Sequence, residues 1–147
     1  MKLAHSISIS VFVKHGEDEA AMRQALLSLV PFQDLEKEKV KLKRTAAEGF
    51  DHKIVILEIT LEKERHTATF IASLKEKLAP SDIRLLATQE NRVDEECCFY
   101  LRLDRQKLMS GECALTDSGD CFHIKMSLAA FPKKRQVALQ VAEKMFS

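Results

Sequence analysis

The chain has 147 residues, of which 46% are hydrophobic and 31% are charged, with only 4 glycines and 3 prolines. This composition is typical of one compact domain over residues 1–147 and excludes disordered and fibrous proteins. The formal net charge of +1 excludes a generally basic chain, so a nucleic-acid partner has to be sought in local clusters of charge. No apolar run reaches the roughly 20 residues needed to cross a bilayer, and the N-terminal residues lack the apolar core of a signal peptide. We therefore expect a cytoplasmic protein with no membrane partner.

Changes in the hydrophobic period divide the chain into ten elements, with no Pro/Ser/Gly-rich linker between them. The first five predicted elements are a strand ending near residues 14–16, a helix from the acidic residues 17–19 to Pro31, a strand over 37–44, a buried strand around 54–57 and a helix over 64–78, with a turn at 48–51 between the second and third strands. The other five are a helix over 80–91, strands over 97–104, 112–116 and 121–131, and a helix after Pro132 that buries Val137, Val141 and Met145. This order predicts an α+β sandwich, in which helices pack on one face of a single, mostly antiparallel sheet. The other face is left to solvent or to a partner.

The segment 99–106 carries the most informative pattern. Tyr100, Arg102 and Asp104 share the polar side of the predicted strand, because successive side chains of a strand point to opposite faces. An aromatic ring and a guanidinium two residues apart can stack a base and hold a phosphate. A purely structural explanation is also open, since a lone tyrosine is often a packing residue and Arg102 and Asp104 can neutralise each other.

Other cations share the expected open face. Lysines at 37, 39, 41 and 43 have one parity, and in the last predicted strand His123 and Lys125 oppose apolar neighbours. Such clustering suits phosphate binding, although lysine rows on strands also serve only to solvate them and to block edge pairing. The predicted RNA contacts are Lys39, Lys41, Lys43, Tyr100, Arg102, Arg105, Lys107 and Lys125.

The patterns of metal sites and of catalytic centres are missing from the sequence. Cys97 and Cys98 are adjacent, and neither they nor Cys113 and Cys121 have the close paired spacing of a zinc knuckle. The five histidines are scattered, with no zinc-protease motif, glycine-rich phosphate loop or nucleophile elbow. We therefore predict no metal, no cofactor and no enzymatic activity.

Residues 91–95 (NRVDE) followed by 99–106 (FYLRLDRQ) resemble the signature of a family of small archaeal proteins that are predicted to bind RNA and are described as candidate exosome subunits. The similarity extends to residues 16–19, 47–49, 119–120 and 130–135, and Arg105 stands where the family pattern has lysine. The resemblance implies a fold similar to that of the ribosomal protein that binds 5S rRNA. It also implies RNA binding in RNA processing or decay, with exosome subunits as partners.

A second function, from a different class, stays open at this point. The same sheet face is also suited to a protein-interaction adaptor that binds a partner chain, or a second copy of itself as a homodimer, without touching RNA. Salt distinguishes the two, because RNA affinity falls steeply with ionic strength whereas an apolar protein interface is much less sensitive.

Overall fold

The computed structural model describes residues 2–49 and 52–147, which form a five-stranded sheet and five α-helices. The strands are β1 (Ala4–Val13), β2 (Leu42–Gly49), β3 (His52–Leu61), β4 (Cys98–Asp104) and β5 (Cys121–Leu128). The helices are α1 (Glu19–Ser28), α2 (Glu64–Lys77), α3 (Pro80–Thr88), α4 (Arg105–Met109) and α5 (Arg135–Met145), with a 3₁₀ turn at Glu90–Arg92. The turn predicted at 48–51 lies partly outside the described residues.

The strands lie in the order β2-β3-β1-β5-β4, and every neighbouring pair is antiparallel. β1 is the central strand, since Ser8 lies opposite Thr60 of β3 on one side and opposite Lys125 of β5 on the other. The predicted α+β class with a mostly antiparallel sheet is confirmed.

Alternation along the strands divides the sheet into a buried and a solvated face. Ile7, Ile9 and Val11 of β1 have no exposed surface, and α1 and α2 pack against that strand while α5 packs against β5. Two helices begin close to their predicted positions. At the start of α1 the Asp18 carboxylate accepts a hydrogen bond from the Ala21 N–H (3.1 Å), and Pro80 occupies the first turn of α3. The helices thus cover one face, and the other is called the open face below.

The predicted strand over residues 37–44 is wrong in its first half. Residues 35–39 form a turn, in which the Asp34 carboxylate accepts a hydrogen bond from the Lys37 N–H (3.1 Å). Lys39 has φ +59°, and the Val40 N–H donates to the Leu35 carbonyl (2.9 Å). A side chain that bonds to the backbone in this way favours a turn over a strand. The lysines at 37, 39, 41 and 43 therefore do not form a row on one strand.

The predicted strand over residues 112–116 is also wrong, and α4 takes up the chain before it. Leu115 makes only an isolated bridge to Leu103, while two hydrogen bonds, from Asp104 N–H to the Ala114 carbonyl (2.9 Å) and from Thr116 N–H to the Arg102 carbonyl (3.0 Å), attach this segment to β4. The segment therefore covers part of the outer edge of β4 without becoming a sixth strand.

The remaining differences are shifts at element ends. α3 ends at Thr88 rather than near residue 91, and β5 ends at Leu128 rather than at 131. In α5, Met145 is buried as predicted, but Ala138 and Ala142 lie against the core, with Val137 and Val141 only partly buried. Small side chains on the inner stripe allow the helix to approach the sheet closely, which the hydrophobicity of valine does not reveal.

Among the described residues, no helix combines the length and apolar character required of a membrane span. The same residues contain no cluster of three or more His, Cys, Asp or Glu side chains placed to hold a metal ion.

Candidate nucleic-acid interface

Side chains from all five strands form two rows across the open face. The first row runs from Tyr100 through Lys125 and Ser8 to Thr60. The second row runs from Arg102 through His123, Ser10 and Glu58 to Lys43. Directly opposed residues of neighbouring antiparallel strands have Cβ atoms about 5 Å apart. The register thus brings Tyr100, Arg102 and Lys125, three of the predicted contacts, into one group.

Tyr100 presents its ring to solvent while its hydroxyl is fixed. The side chain is 41% exposed, and the Lys125 ammonium lies 5.9 Å from the ring centroid. The hydroxyl donates to Oδ2 of Asp94 (2.9 Å). Burial and the Asp94 carboxylate raise the pKa of Tyr100 to about 12, so the phenol is neutral at physiological pH. A neutral, oriented ring beside a cation is suited to stacking a base next to a phosphate.

Asp94 also organises the loop before β4. Its Oδ1 accepts hydrogen bonds from the backbone N–H groups of Glu96 and Cys98 (2.9 Å each). The Cys98 bond is the largest contribution lowering the pKa of Asp94, and the Tyr100 hydroxyl adds to it. The carboxylate is therefore ionised and holds both the loop and the tyrosine ring in place.

Arg102 is an exposed cation held only weakly by the protein. Its Nη1 donates to the Asp117 carbonyl at 3.4 Å, and no carboxylate among residues 2–49 and 52–147 lies within salt-bridge distance of it. Most of its five N–H donors are thus available to a ligand such as a phosphate.

His123, opposite Arg102, contributes an aromatic ring rather than a charge. Its ring centroid lies 5.5 Å from that of Phe12, and Cys121 Sγ is 3.6 Å from its Nε2. Burial and the neighbouring Arg102 charge lower the pKa of His123. The imidazole is therefore neutral at pH 7, which keeps the second row from carrying two adjacent cations.

The three predicted lysines of residues 39–43 occupy different positions. Lys43 lies in β2 opposite Glu58, whereas Lys41 precedes the strand and Lys39 is in the turn. All three border a cleft of about 410 Å³, together with Lys63, His66 and three glutamates at 38, 58 and 62. The glutamates compensate much of the lysine charge, so this end of the sheet is less basic than the sequence pattern indicates.

Arg105 lies outside the open face, and its guanidinium is held by two carboxylates. Its side chain is 12% exposed and forms a fork with the Glu17 carboxylate (2.6 and 3.3 Å) and a further bond to Asp120 (2.9 Å). Lys107 is exposed on α4, one turn after the end of β4. The structure therefore separates Arg105, and to a lesser extent Lys107, from the group around Arg102.

Two exposed aromatic residues were not predicted as part of the site. Phe12 follows the serines of β1 with the same parity, so its position on the open face was readable from the alternation. Phe131 is 76% exposed and lies just after β5. Its only signal in the sequence is an aromatic residue followed by Pro132 and three cations, which gives no direction for its ring.

Comparison with known proteins bears on this surface. A family model described as RNA binding matches residues 6–128, which contain all five strands except the first residues of β1. The chain belongs to this RNA-binding family. The match includes both rows of the open face and ends before α5.

Relatives of this RNA-binding family member are similar along nearly their whole length. An RNA-binding protein from Pyrococcus abyssi is 29% identical over 139 residues, covering 93% of this chain and 90% of its own. A crystal structure of a protein from Archaeoglobus fulgidus has a TM-score of 0.84 at 28% identity, with 98% and 99% of the two chains covered. A second structure, from Methanothermobacter thermautotrophicus, has a TM-score of 0.78 at 29% identity and covers 99% of both chains.

Proposed function

We propose that this chain binds RNA across the open face, with Arg102 and Lys125 holding phosphates and Tyr100 stacking a base. The observation that carries the proposal is the adjacency of Tyr100, Lys125, His123 and Arg102 in two neighbouring cross-strand rows. Membership of the RNA-binding family supports it. Guanidinium and ammonium groups beside an exposed ring are the combination that single-stranded RNA modules use.

Lys43 extends the proposed contact surface along the second row. It lies on the far side of the sheet from Arg102, beyond Ser10 and Glu58, where the Glu58 carboxylate offsets part of its charge. Lys39, Lys41 and Lys107 are placed at the periphery, where exposed lysines add long-range attraction to a polyanion. Arg105 is proposed to support the structure rather than to touch RNA, because two carboxylates already occupy its donors.

The biological role is proposed more broadly as RNA processing or decay in the cytoplasm, without catalysis by this chain. Association with exosome subunits, and a fold likeness to the ribosomal protein that binds 5S rRNA, rest on the resemblance of residues 91–106 to their family signature. Copurification of the tagged protein with exosome subunits, before and after ribonuclease treatment, tests the association. If no exosome subunit copurifies from the untreated sample, the proposed association with the exosome is wrong.

A salt series with a fluorescent RNA oligomer tests RNA binding directly. The logarithm of affinity should fall against the logarithm of salt with a slope of about −0.7 for each phosphate contact on a single strand. Arg102→Ala and Lys125→Ala should each weaken binding roughly fivefold, which corresponds to about 1 kcal/mol. Each should also make the slope shallower by about 0.7. Lys53→Ala is the matched control, because it removes an exposed lysine of β3 that has the opposite parity to the open face.

A protein-interaction adaptor predicts different results for RNA binding at low salt and for self-association at high salt. If the wild type binds no RNA at low salt, and light scattering shows a dimer that persists at high salt, the open face serves a protein partner and the RNA proposal fails. Unchanged RNA affinity in both Arg102→Ala and Lys125→Ala would remove the proposed surface even if RNA binds elsewhere.

A further inference from the structure

Phe131 is the most exposed of the large apolar side chains in the described part of the chain, at 76%. It lies between the end of β5 and Lys133, and its ring meets that of His5 edge to face, with centroids 5.6 Å apart and planes at 83°. An edge-to-face contact fixes the ring through one side only. The arrangement leaves a broad aromatic surface in water, which the hydrophobic effect disfavours by itself.

This aromatic pair belongs to the open face rather than to the helical side. The β1–β5 pairing is irregular at His5, just before Ser6. Ser6 lies opposite Ser127 of β5, and Ser127 lies opposite Cys98 of β4. Burial raises the pKa of the Cys98 thiol overall, and Lys133 lies close enough for its positive charge to lower that pKa in part. Phe131, His5 and Lys133 therefore extend the open face beyond Tyr100 at one end.

A second exposed aromatic lies at the other end. Phe12 is 46% exposed, opposite Ile56 of β3, and its ring contacts His123, which neighbours Arg102. His5 and Phe12 are seven residues apart on β1, so at about 3.4 Å per residue their Cα atoms are at most roughly 24 Å apart. Between them lie the Tyr100 ring and the cations Lys125 and Arg102. Exposed rings and cations thus lie close together along the part of the open face formed by β1, β4 and β5.

We infer that the RNA bound here is single-stranded, with unpaired bases stacked on Phe131 and Phe12 at the two ends of the open face. This inference rests on the proposed function and adds the class of RNA and two base platforms. Unpaired bases expose their faces to protein rings, whereas the bases of a duplex are already stacked on each other. A duplex leaves the Phe131 and Phe12 rings in water and is held by phosphate contacts alone.

The chain contains no tryptophan, so Phe131→Trp introduces a single indole at the proposed platform. Single-stranded RNA of about twelve nucleotides, the scale of one small binding domain, should quench its emission. A duplex of the same length and an abasic oligomer of the same charge should not. Leu85→Trp is the matched control, because Leu85 is 43% exposed on α3, a helix that packs against α5. Its emission should not respond to any of the three.

Affinity measurements on Phe131→Ser and Phe12→Ser complete the test. Each should weaken single-strand binding roughly fivefold or more, with an unchanged salt slope, because no phosphate contact is removed. Leu85→Ser should have no effect, and exposed positions such as these should keep the fold intact by circular dichroism. Arg102→Ala, in contrast, should change the slope.

The outcomes separate this inference from the proposed function. If wild type binds RNA and Arg102→Ala weakens it, while both Phe→Ser variants bind as wild type or duplex binds as tightly as single strand, the platforms are overturned and the proposed function stands. If wild type binds none of the oligomers, both fail. Loss of self-association in Phe131→Ser with unchanged RNA affinity would assign Phe131 to a protein contact and overturn the inference.

Discussion

Substitution of Arg105 by alanine is expected to lower the free energy of unfolding by about 2 kcal/mol and to leave the RNA affinity of the folded protein unchanged. Exposed ion pairs contribute about 1 kcal/mol or less, whereas loss of one partner of a buried pair costs about 3–5 kcal/mol. Arg105 is 12% exposed and its partners Glu17 and Asp120 are 24% and 48% exposed, which places the cost between these limits. For a chain of this length the change corresponds to roughly 4–8 °C in Tm.

Urea denaturation followed by circular dichroism measures the change in the free energy of unfolding. The variants compared with Arg105→Ala are Arg105→Lys, Glu17→Gln and the Arg105→Ala/Glu17→Gln double variant. Lysine keeps the charge but loses the fork, so its cost should be intermediate. The Arg105→Ala/Glu17→Gln double variant should cost less than the sum of Arg105→Ala and Glu17→Gln, because both single variants remove the same ion pair.

The cost should also depend on pH. A backbone hydrogen bond from Lys14, followed by the Arg105 side chain, lowers the pKa of Glu17, and Lys14 and Arg105 lower that of Asp120. Carboxyls with lowered pKa stabilise the fold above their unfolded pKa values near 4 and lose this effect as the pH falls. The difference between wild type and Arg105→Ala should therefore shrink between pH 5 and pH 3. An Arg105→Ala variant with wild-type stability and RNA binding as weak as that of Arg102→Ala would refute this assignment.

Four further outcomes are expected. In an absorbance titration, the single phenol of Tyr100 should ionise near pH 12, and Asp94→Asn should shift the midpoint toward the usual value near 10 by removing the negative charge that accepts the hydrogen bond of the phenol. Glu38→Gln should flatten the loss of stability between pH 4.5 and 2, because the hydrogen bonds from Arg65 and His66 lower the pKa of Glu38 to about 2. Asp104→Ala should cost about 1 kcal/mol in urea unfolding, since its carboxylate caps α4 through the Lys107 N–H (3.0 Å). Gly111→Ala should cost a similar amount, about 1 kcal/mol, because φ is +92° there although an added methyl group meets open space.

The parts of the fold that sequence predicted are those in which hydrophobic period and burial agree. β1 from Ser6 onward and β4 from Phe99 onward alternate, with one side against the helices, so Tyr100 and Arg102 could be placed on the same face before any coordinates. The segment 37–44 alternates equally well, yet Asp34 draws its backbone into a turn, and a local hydrogen bond of this kind outweighs a weak strand preference. Hydrophobic periodicity alone therefore cannot distinguish a strand such as β4 from the turn at residues 35–39.

In the candidate site, too, some features follow from the sequence and others depend on the folded structure. The proximity of Tyr100 to Lys125, and of Arg102 to His123, depends on the β4–β5 register, which the sequence does not specify by itself. Arg105 follows the strand by one residue and has the same charge as Arg102, but the start of α4 turns it toward Glu17. That change of direction could not be read from residue types.

The central position of β1 has a consequence for the synthesis of the protein. Ser8 pairs with Lys125, so β1 must wait for the synthesis of β5 before its second edge is paired. Contacts of such long sequence separation slow folding, because the loop must close before the pairing is rewarded. Until then one edge of β1 stays unpaired, so truncation before β5 should yield an aggregating fragment rather than a smaller domain.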